Sequence, residues 1–179
     1  MKRLLKRMSS ARIIALGFAA VIFAGSGLLM LPCSVRDGVD LKYIDALYTS
    51  ASAVCVTGLV TVDIGDTFTA FGRFVVAALI QIGGLGVASM GAGVILAVGK
   101  RINLKGRSIL RDAMNLDSGR GIVKFLKGVF LVTVTFELVG AALSFIVFVR
   151  DYPPLKALEI SLFHSVAAFN NSRFDILGN

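Results

Sequence analysis

Two short stretches hold the residues best placed to do chemistry, Tyr48 to Leu59 (YTSASAVCVTGL) and Phe163 to Phe174 (FHSVAAFNNSRF), and they share a pattern at one fixed offset. Each leads from small and hydroxyl residues, in a run too brief to span a bilayer, into an irregular segment. Irregular backbone at membrane depth is tolerated only where it is buried in protein or lines a watery path, so a repeated loop of this kind points to a pore. A cation that sheds its water needs replacement oxygens, and backbone carbonyls supply them where the chain can take turns that a Cβ obstructs. Gly58 meets that need. The carbonyls of Cys55, Val56, Thr57 and Gly58 form one candidate set, and those near Asn170, Asn171 and Ser172 a second. The competing reading of Thr57-Gly58 is an ordinary surface turn.

The remaining reactive side chains build no alternative centre. Ser50 and Ser165 fit hydroxyls bonded back to their own preceding helical turn better than they fit ion ligands. His164 fits a packed, hydrogen-bonded histidine better than a pH gate, and a single histidine makes no metal constellation. No metal beyond a transported ion, and no covalently bound cofactor, is expected. Glu137 is a charge inside an apolar run, which at mid-membrane costs roughly 2.5 to 3.5 kcal/mol, so it is expected to face protein, as a structural partner before any role in an ion path. Asp63 and Asp66 lie just beyond the first loop, either concentrating cations at its mouth or simply solvated. Cys33 and Cys55 form neither a CxxC pair nor a disulfide framework and read as unpaired thiols. Gln81 to Gly86 (QIGGLG) and Gly91-Ala92-Gly93 match neither GxGxxG nor GxxxxGK and lie in an apolar run. Gly84, Ala88 and Ala92, at intervals of four, suit the close approach of another helix.

The elements that must hold these loops follow from composition. With 56% hydrophobic residues among 179 and a mean hydropathy of +0.82, the chain has too little polar surface for a water-soluble domain, and it reads as an all-α integral membrane protein. Ile13 to Leu31 is uncharged and, at about 1.5 Å per residue, long enough to cross a hydrocarbon core of roughly 30 Å. It exceeds the roughly 7 to 15 residues of a signal h-region and ends on Pro32, where a cleavage site wants a small residue, so it reads as a retained span. Phe74 to Val98 and Gly128 to Val149 are the second and third spans, and short helices are expected over Ala46 to Ala53 and Leu155 to Ala168.

Net charge is +8 and the isoelectric point about 9.9. The basic residues gather in the N-terminus (Lys2, Arg3, Lys6, Arg7, Arg12) and in Lys100 to Lys127, which the positive-inside rule assigns to the cytoplasm, while the Asp-rich segment from Cys33 to Arg73 faces outside. Membrane topology thus explains the charge without a nucleic-acid partner. The expected organisation is a cytoplasmic N-terminus over 1–12, a helix, re-entrant pore loop and helix over 13–99, a basic cytoplasmic link over 100–127, and over 128–179 a second such unit truncated before its closing helix.

Asp45 to Leu59 (DALYTSASAVCVTGL), Gln81 to Gly86 and Phe163 to Asn171 (FHSVAAFNN) together resemble the Trk/Ktr/HKT superfamily of potassium transporters, and more closely the bacterial Ktr-type membrane subunit. The resemblance runs along essentially the whole chain. It implies four helix, pore-loop, helix units around one potassium path, in a multi-pass protein of the inner (plasma) membrane with its N-terminus in the cytoplasm. It further implies pairing as a homodimer and gating by a cytoplasmic ring of nucleotide-binding subunits, with no enzyme chemistry. This chain would supply one unit and most of a second, as a fragment or a truncated product.

Each pore loop of that family has a glycine in its filter. Gly58 matches it, whereas Arg173, preceded by Ser172, replaces the glycine of the second loop; the pattern resumes at Phe174 and Asp175, which fits local substitution. Arg173 either repels the ion or turns away to pair with Asp175 or Glu159, and Ser172→Ala with Arg173→Gly is expected to restore conduction. The expected function is the membrane subunit of a potassium uptake system, conducting through a carbonyl-lined filter under control of a cytoplasmic nucleotide-binding subunit. The alternative is a non-conducting truncated paralogue or interaction protein in the membrane. A membrane-embedded hydrolase finds no partner set for His164.

Overall fold

The computed structural model describes residues 9–98, 102, 104–116 and 121–178, and every regular element among them is helical, with a single antiparallel bridge between Val35 and Phe68. Helix α1 (Ser10–Leu29) is 20 residues of almost unbroken apolar sequence, about 30 Å at 1.5 Å per residue. It ends shortly before Pro32, which has no N–H with which to continue the ladder. Helix α2 (Tyr43–Val54) is followed by a one-turn helix, α3 (Ile64–Thr67), whose Asp63 accepts the Asp66 amide at 2.7 Å. Asp63 thus caps α3.

The expected second span is not one helix. It divides into α4 (Ala70–Leu85) and α5 (Val87–Ala97), bent by 103° at Gly86. Gly86 has φ +84°, a conformation open to glycine and obstructed by a Cβ, and its N–H turns back to the Gly83 carbonyl at 3.0 Å. Helix α4 opens with Thr69, whose hydroxyl accepts the Gly72 amide.

A short helix, α6 (Leu104–Ala113), lies inside the expected basic link, and α7 (Ile122–Phe148) begins at Gly121 with φ +72°. At 27 residues α7 extends the expected third span toward its N-terminus and takes in Lys124 and Lys127. Helix α8 (Pro154–Phe169) starts with proline in its first turn, where the missing N–H has no helical partner anyway. Among the described residues α1 and α7 are long and apolar enough to cross a membrane, and the bent α4–α5 pair passes the same test jointly. Lys2, Arg3, Lys6, Arg7, Lys100, Arg101 and Arg120, which contribute to the expected orientation, lie outside the described residues.

One apolar cluster joins α1, α2, α4 and α8 around Leu29, Ala53, Val76, Ile80, Ile160 and Phe163. A second, around Leu110, Ile122 and Leu126, seats α6 against α5 and α7. Most of the large apolar side chains along α7, Leu131, Phe136 and Leu143 among them, are exposed, as suits a helix facing lipid. Between α1 and α2 the polar link is pinned to the start of α4 by Arg36 N–H to Thr67 O at 3.0 Å and Thr69 N–H to Ser34 O at 2.9 Å.

Candidate functional site

The two short helices end alike. At the end of α2 the amides of Val56 and Thr57 turn back to the carbonyls of Ala53 (3.2 Å) and Ser52 (3.0 Å); at the end of α8 those of Asn171 and Ser172 turn back to Ala168 (3.0 Å) and Ala167 (2.8 Å). Both are Schellman closures, which need a left-handed residue just past the cap. That residue is Val56 (φ 55°) in the first and Asn171 (φ 54°) in the second. Asparagine accepts the conformation, whereas a β-branched valine is strained in it by roughly 1 to 3 kcal/mol. Two residues further on Gly58 (φ 73°) and Arg173 (φ 58°) repeat it.

The closures use the amides and leave the carbonyls. Among the described residues no hydrogen bond is accepted by the carbonyls of Cys55, Val56, Thr57 and Gly58, or by those of Asn170, Asn171, Ser172 and Arg173. The carboxyl ends of α2 and α8, each carrying about half a negative charge, lead into these segments. The arrangement presents oxygens and negative potential, which is chemistry suited to a cation. The loops also meet. A Cβ on Gly58 would collide with the Ser172 carbonyl oxygen and lie 2.8 Å from the Arg173 Cβ. Thr57 Oγ1 pairs with Ser52 Oγ at 2.8 Å, and buried Ser172 donates its hydroxyl to Ala167 O at 3.3 Å, so both side chains turn toward their own helix ends.

The glycines of α4 are the platform on which both ends rest. Gly83 lies against the Val54 backbone carbonyl and Gly84 against the Asn170 side chain, in each case too close for a Cβ. Sequence reasoning gave Gly84, with Ala88 and Ala92, to the approach of another helix, and Gly84 admits the end of α8. Gly83→Ala is accordingly expected to lower the stability of the purified chain by about 1 to 3 kcal/mol, since the obstruction is backbone that cannot swing aside. Gly91→Ala, whose Cβ enters open space, should not lower it. Thermal unfolding of the two variants in detergent checks the contrast.

Long helices brace the short ones through matched bonds. Ser50 donates to Ile22 O of α1 at 2.8 Å, and Ser165 to Glu137 O of α7 at 2.6 Å. These hydroxyls therefore do not bond within their own helix, as sequence reasoning had it. Gly25 and Gly140 make room for them, each with its absent Cβ position 2.5 Å from the serine Oγ. Nothing in a linear pattern singles out Gly25 or Gly140, because the contact joins residues far apart in the chain.

His164 has Nδ1 2.9 Å from Ile160 O and packs on Phe148 and Phe163, as a structural histidine does. Arg73 of α4, almost buried, pairs with Glu159 of α8 at 3.1 Å. Glu159 is thus committed, and Arg173 is exposed with no ion pair among the described residues. Cys33 and Cys55 are free and exposed. Among the described residues no cluster of His, Cys, Asp or Glu is arranged to hold a metal ion.

Residues 5–179 match the TrkH family, described as cation transport protein. Over 170 residues the chain is 41% identical to the Ktr system potassium uptake protein B of Bacillus subtilis, an alignment covering 95% of this chain and 38% of that protein. It is 36% identical over 178 residues to the potassium/sodium uptake protein NtpJ of Enterococcus hirae, covering 99% and 40%. It is 35% identical over 178 residues to the Ktr system potassium uptake protein D of Bacillus subtilis, again covering 99% and 40%. The chain spans about two fifths of the length of these curated relatives.

Proposed function

Because this chain belongs to the TrkH family of cation transport proteins, a family of transporters rather than enzymes, we propose that it forms part of the membrane subunit of a potassium uptake system. The relatives it matches are named for potassium, or potassium and sodium, uptake. In this reading α1, α2 and the α4–α5 pair form one helix, pore-loop, helix unit, and α7 and α8 with the following loop begin a second. The carbonyls of Cys55, Val56, Thr57 and Gly58 line the first quarter of a filter, and those of Asn170, Asn171, Ser172 and Arg173 the second. The protein lies in the plasma membrane with its N-terminus and the Lys100 to Lys127 link in the cytoplasm, works as a homodimer, and answers to a cytoplasmic ring of nucleotide-binding subunits.

One observation carries the reading: two helix ends with the same Schellman closure, each followed by carbonyls that accept no protein hydrogen bond, meet at Gly58 and Ser172. Consecutive free carbonyls at helix carboxyl ends are what a dehydrated potassium ion requires. The test is growth of a potassium-uptake-deficient bacterium at low potassium, with this chain supplied as the first part of a complete transporter carrying Arg173→Gly. Restored growth with potassium accumulation is expected. A well-inserted protein that accumulates no potassium would overturn the proposal.

A further inference from the structure

The side chain of Asn170, at the end of α8, is held at both ends of its amide by neighbouring elements. Its Nδ2 donates to Gln81 Oε1 of α4 at 2.7 Å and to Val166 O, one turn back in α8, at 2.9 Å. A main-chain carbonyl only accepts, so the contact with Val166 fixes which end of the Asn170 amide is nitrogen, and that nitrogen in turn requires the oxygen of Gln81. The other end, Asn170 Oδ1, is pressed against Gly84, where a Cβ would exclude it. Gln81 and Gly84 stand three residues apart and so share a face of α4.

Asn170 is the cap residue of α8, and left-handed Asn171 follows it. The amides of Asn171 and Ser172 close the helix end onto Ala168 O and Ala167 O. Fixing the Asn170 side chain therefore fixes the Cα at which the helix stops and the free carbonyls begin. The first loop is held differently: the cap residue of α2 is Cys55, an exposed thiol. Nor is Gln81 needed to dock the body of α8, since Arg73 pairs with Glu159 at 3.1 Å and ties an earlier turn of α8 to α4. What Gln81 adds is confined to the point where helix becomes loop.

We propose that Gln81 is a positioning residue for the second loop: its amide oxygen holds Asn170 against Gly84 and so sets where the Asn170 and Asn171 carbonyls stand. The significance for ion selection rests on the filter reading above, whereas the positioning itself is open to a test that needs no transport. Amide hydrogen exchange of the purified chain is followed in peptides spanning residues 166–174, with peptides of α1 and of residues 154–162 as the control for folding. Gln81→Met keeps the length of the side chain and loses the acceptor, and Gln81 borders a crevice of about 530 Å³ that gives a methionine room. This variant is expected to speed exchange at Asn171 and Ser172 at least tenfold while the control peptides are unchanged. Gln81→Leu serves in its place if Gln81→Met does not fold. Gln81→Glu, which offers Asn170 an acceptor oxygen whether or not it is ionised, should stay within threefold of the parent.

Because Gln81 acts through Asn170, Asn170→Ala should speed exchange as Gln81→Met does, and the two changes together should add nothing to either alone. Exchange in Gln81→Met equal to the parent, Gln81→Glu as fast as Gln81→Met, or a double variant whose effects multiply would each overturn the proposal. In a complete transporter carrying Arg173→Gly, Gln81→Met should also lower the preference for potassium over sodium about tenfold. A complete transporter that carries no potassium, alongside the expected exchange pattern, refutes the function and leaves the positioning standing. Potassium transport with unchanged preference in Gln81→Met refutes the role given to Gln81 and leaves the function.

Discussion

Arg173→Gly in a complete transporter is expected to raise potassium uptake at least tenfold at limiting potassium. A guanidinium is charged at every physiological pH. At about 4 Å from the ion and an effective dielectric near 20 it repels a potassium ion by on the order of 4 kcal/mol, roughly a thousandfold in occupancy. Arg173 is exposed, and solvent screening and rotation of the side chain reduce that figure, so tenfold is the floor and a thousandfold the ceiling. No described carboxylate offsets the charge, because Glu159 is paired with Arg73. The backbone argues in the same direction. Arg173 sits at φ 58°, where a side chain costs roughly 1 to 2 kcal/mol and glycine costs nothing. Because the Ser172 hydroxyl is buried and bonded to Ala167 O, adding Ser172→Ala should change little, although the sequence alone suggested replacing both residues. Equal potassium influx in the parent and Arg173→Gly proteins, at equal expression, would remove Arg173 from the ion path.

The second large effect is expected at Gly58. Serine there is opposed twice, by φ of 73° and by the Ser172 carbonyl oxygen and Arg173 Cβ that occupy the space its Cβ would need. The strain is roughly 1 to 2 kcal/mol, and the collision must be relieved by moving a carbonyl of one loop or the other. Since both sets of carbonyls are assigned to the ion, Gly58→Ser should abolish the preference for potassium over sodium. Ser50→Ala is the comparison: it loses the bond to Ile22 O, worth about 1 kcal/mol, and touches no filter atom. Flux ratios for the two variants check the contrast, with an unchanged ratio in Gly58→Ser as the contrary result.

Much of this was legible in the linear chain because it depends on local composition. Long apolar runs gave α1 and most of α7, and the short helices fell within a few residues of their expected ends. The Thr57-Gly58 turn and its counterpart at Ser172-Arg173 were visible as a repeat. The break at Gly86 was not, since a run from Phe74 to Val98 is apolar throughout and a left-handed φ leaves no trace in hydropathy. Helix α6 was hidden inside a run notable chiefly for its charge. The choice of partners was hidden too. Ser50 and Ser165 bond across to other helices, and Gln81 reaches Asn170 across 89 positions, distances over which residue type alone says nothing of contact. Glu159 was open to pairing with Arg173 on charge alone, and only the packing of α4 on α8 gives it to Arg73.

Whether the two loops form one potassium path is measured most directly by potassium flux into proteoliposomes in competition with sodium. A complete transporter carrying this chain with Arg173→Gly is compared with the same protein bearing Gly58→Ser as well. Potassium-selective flux in the first and loss of selectivity in the second is the predicted result; potassium flux of equal selectivity in both, or none in the first, would contradict it.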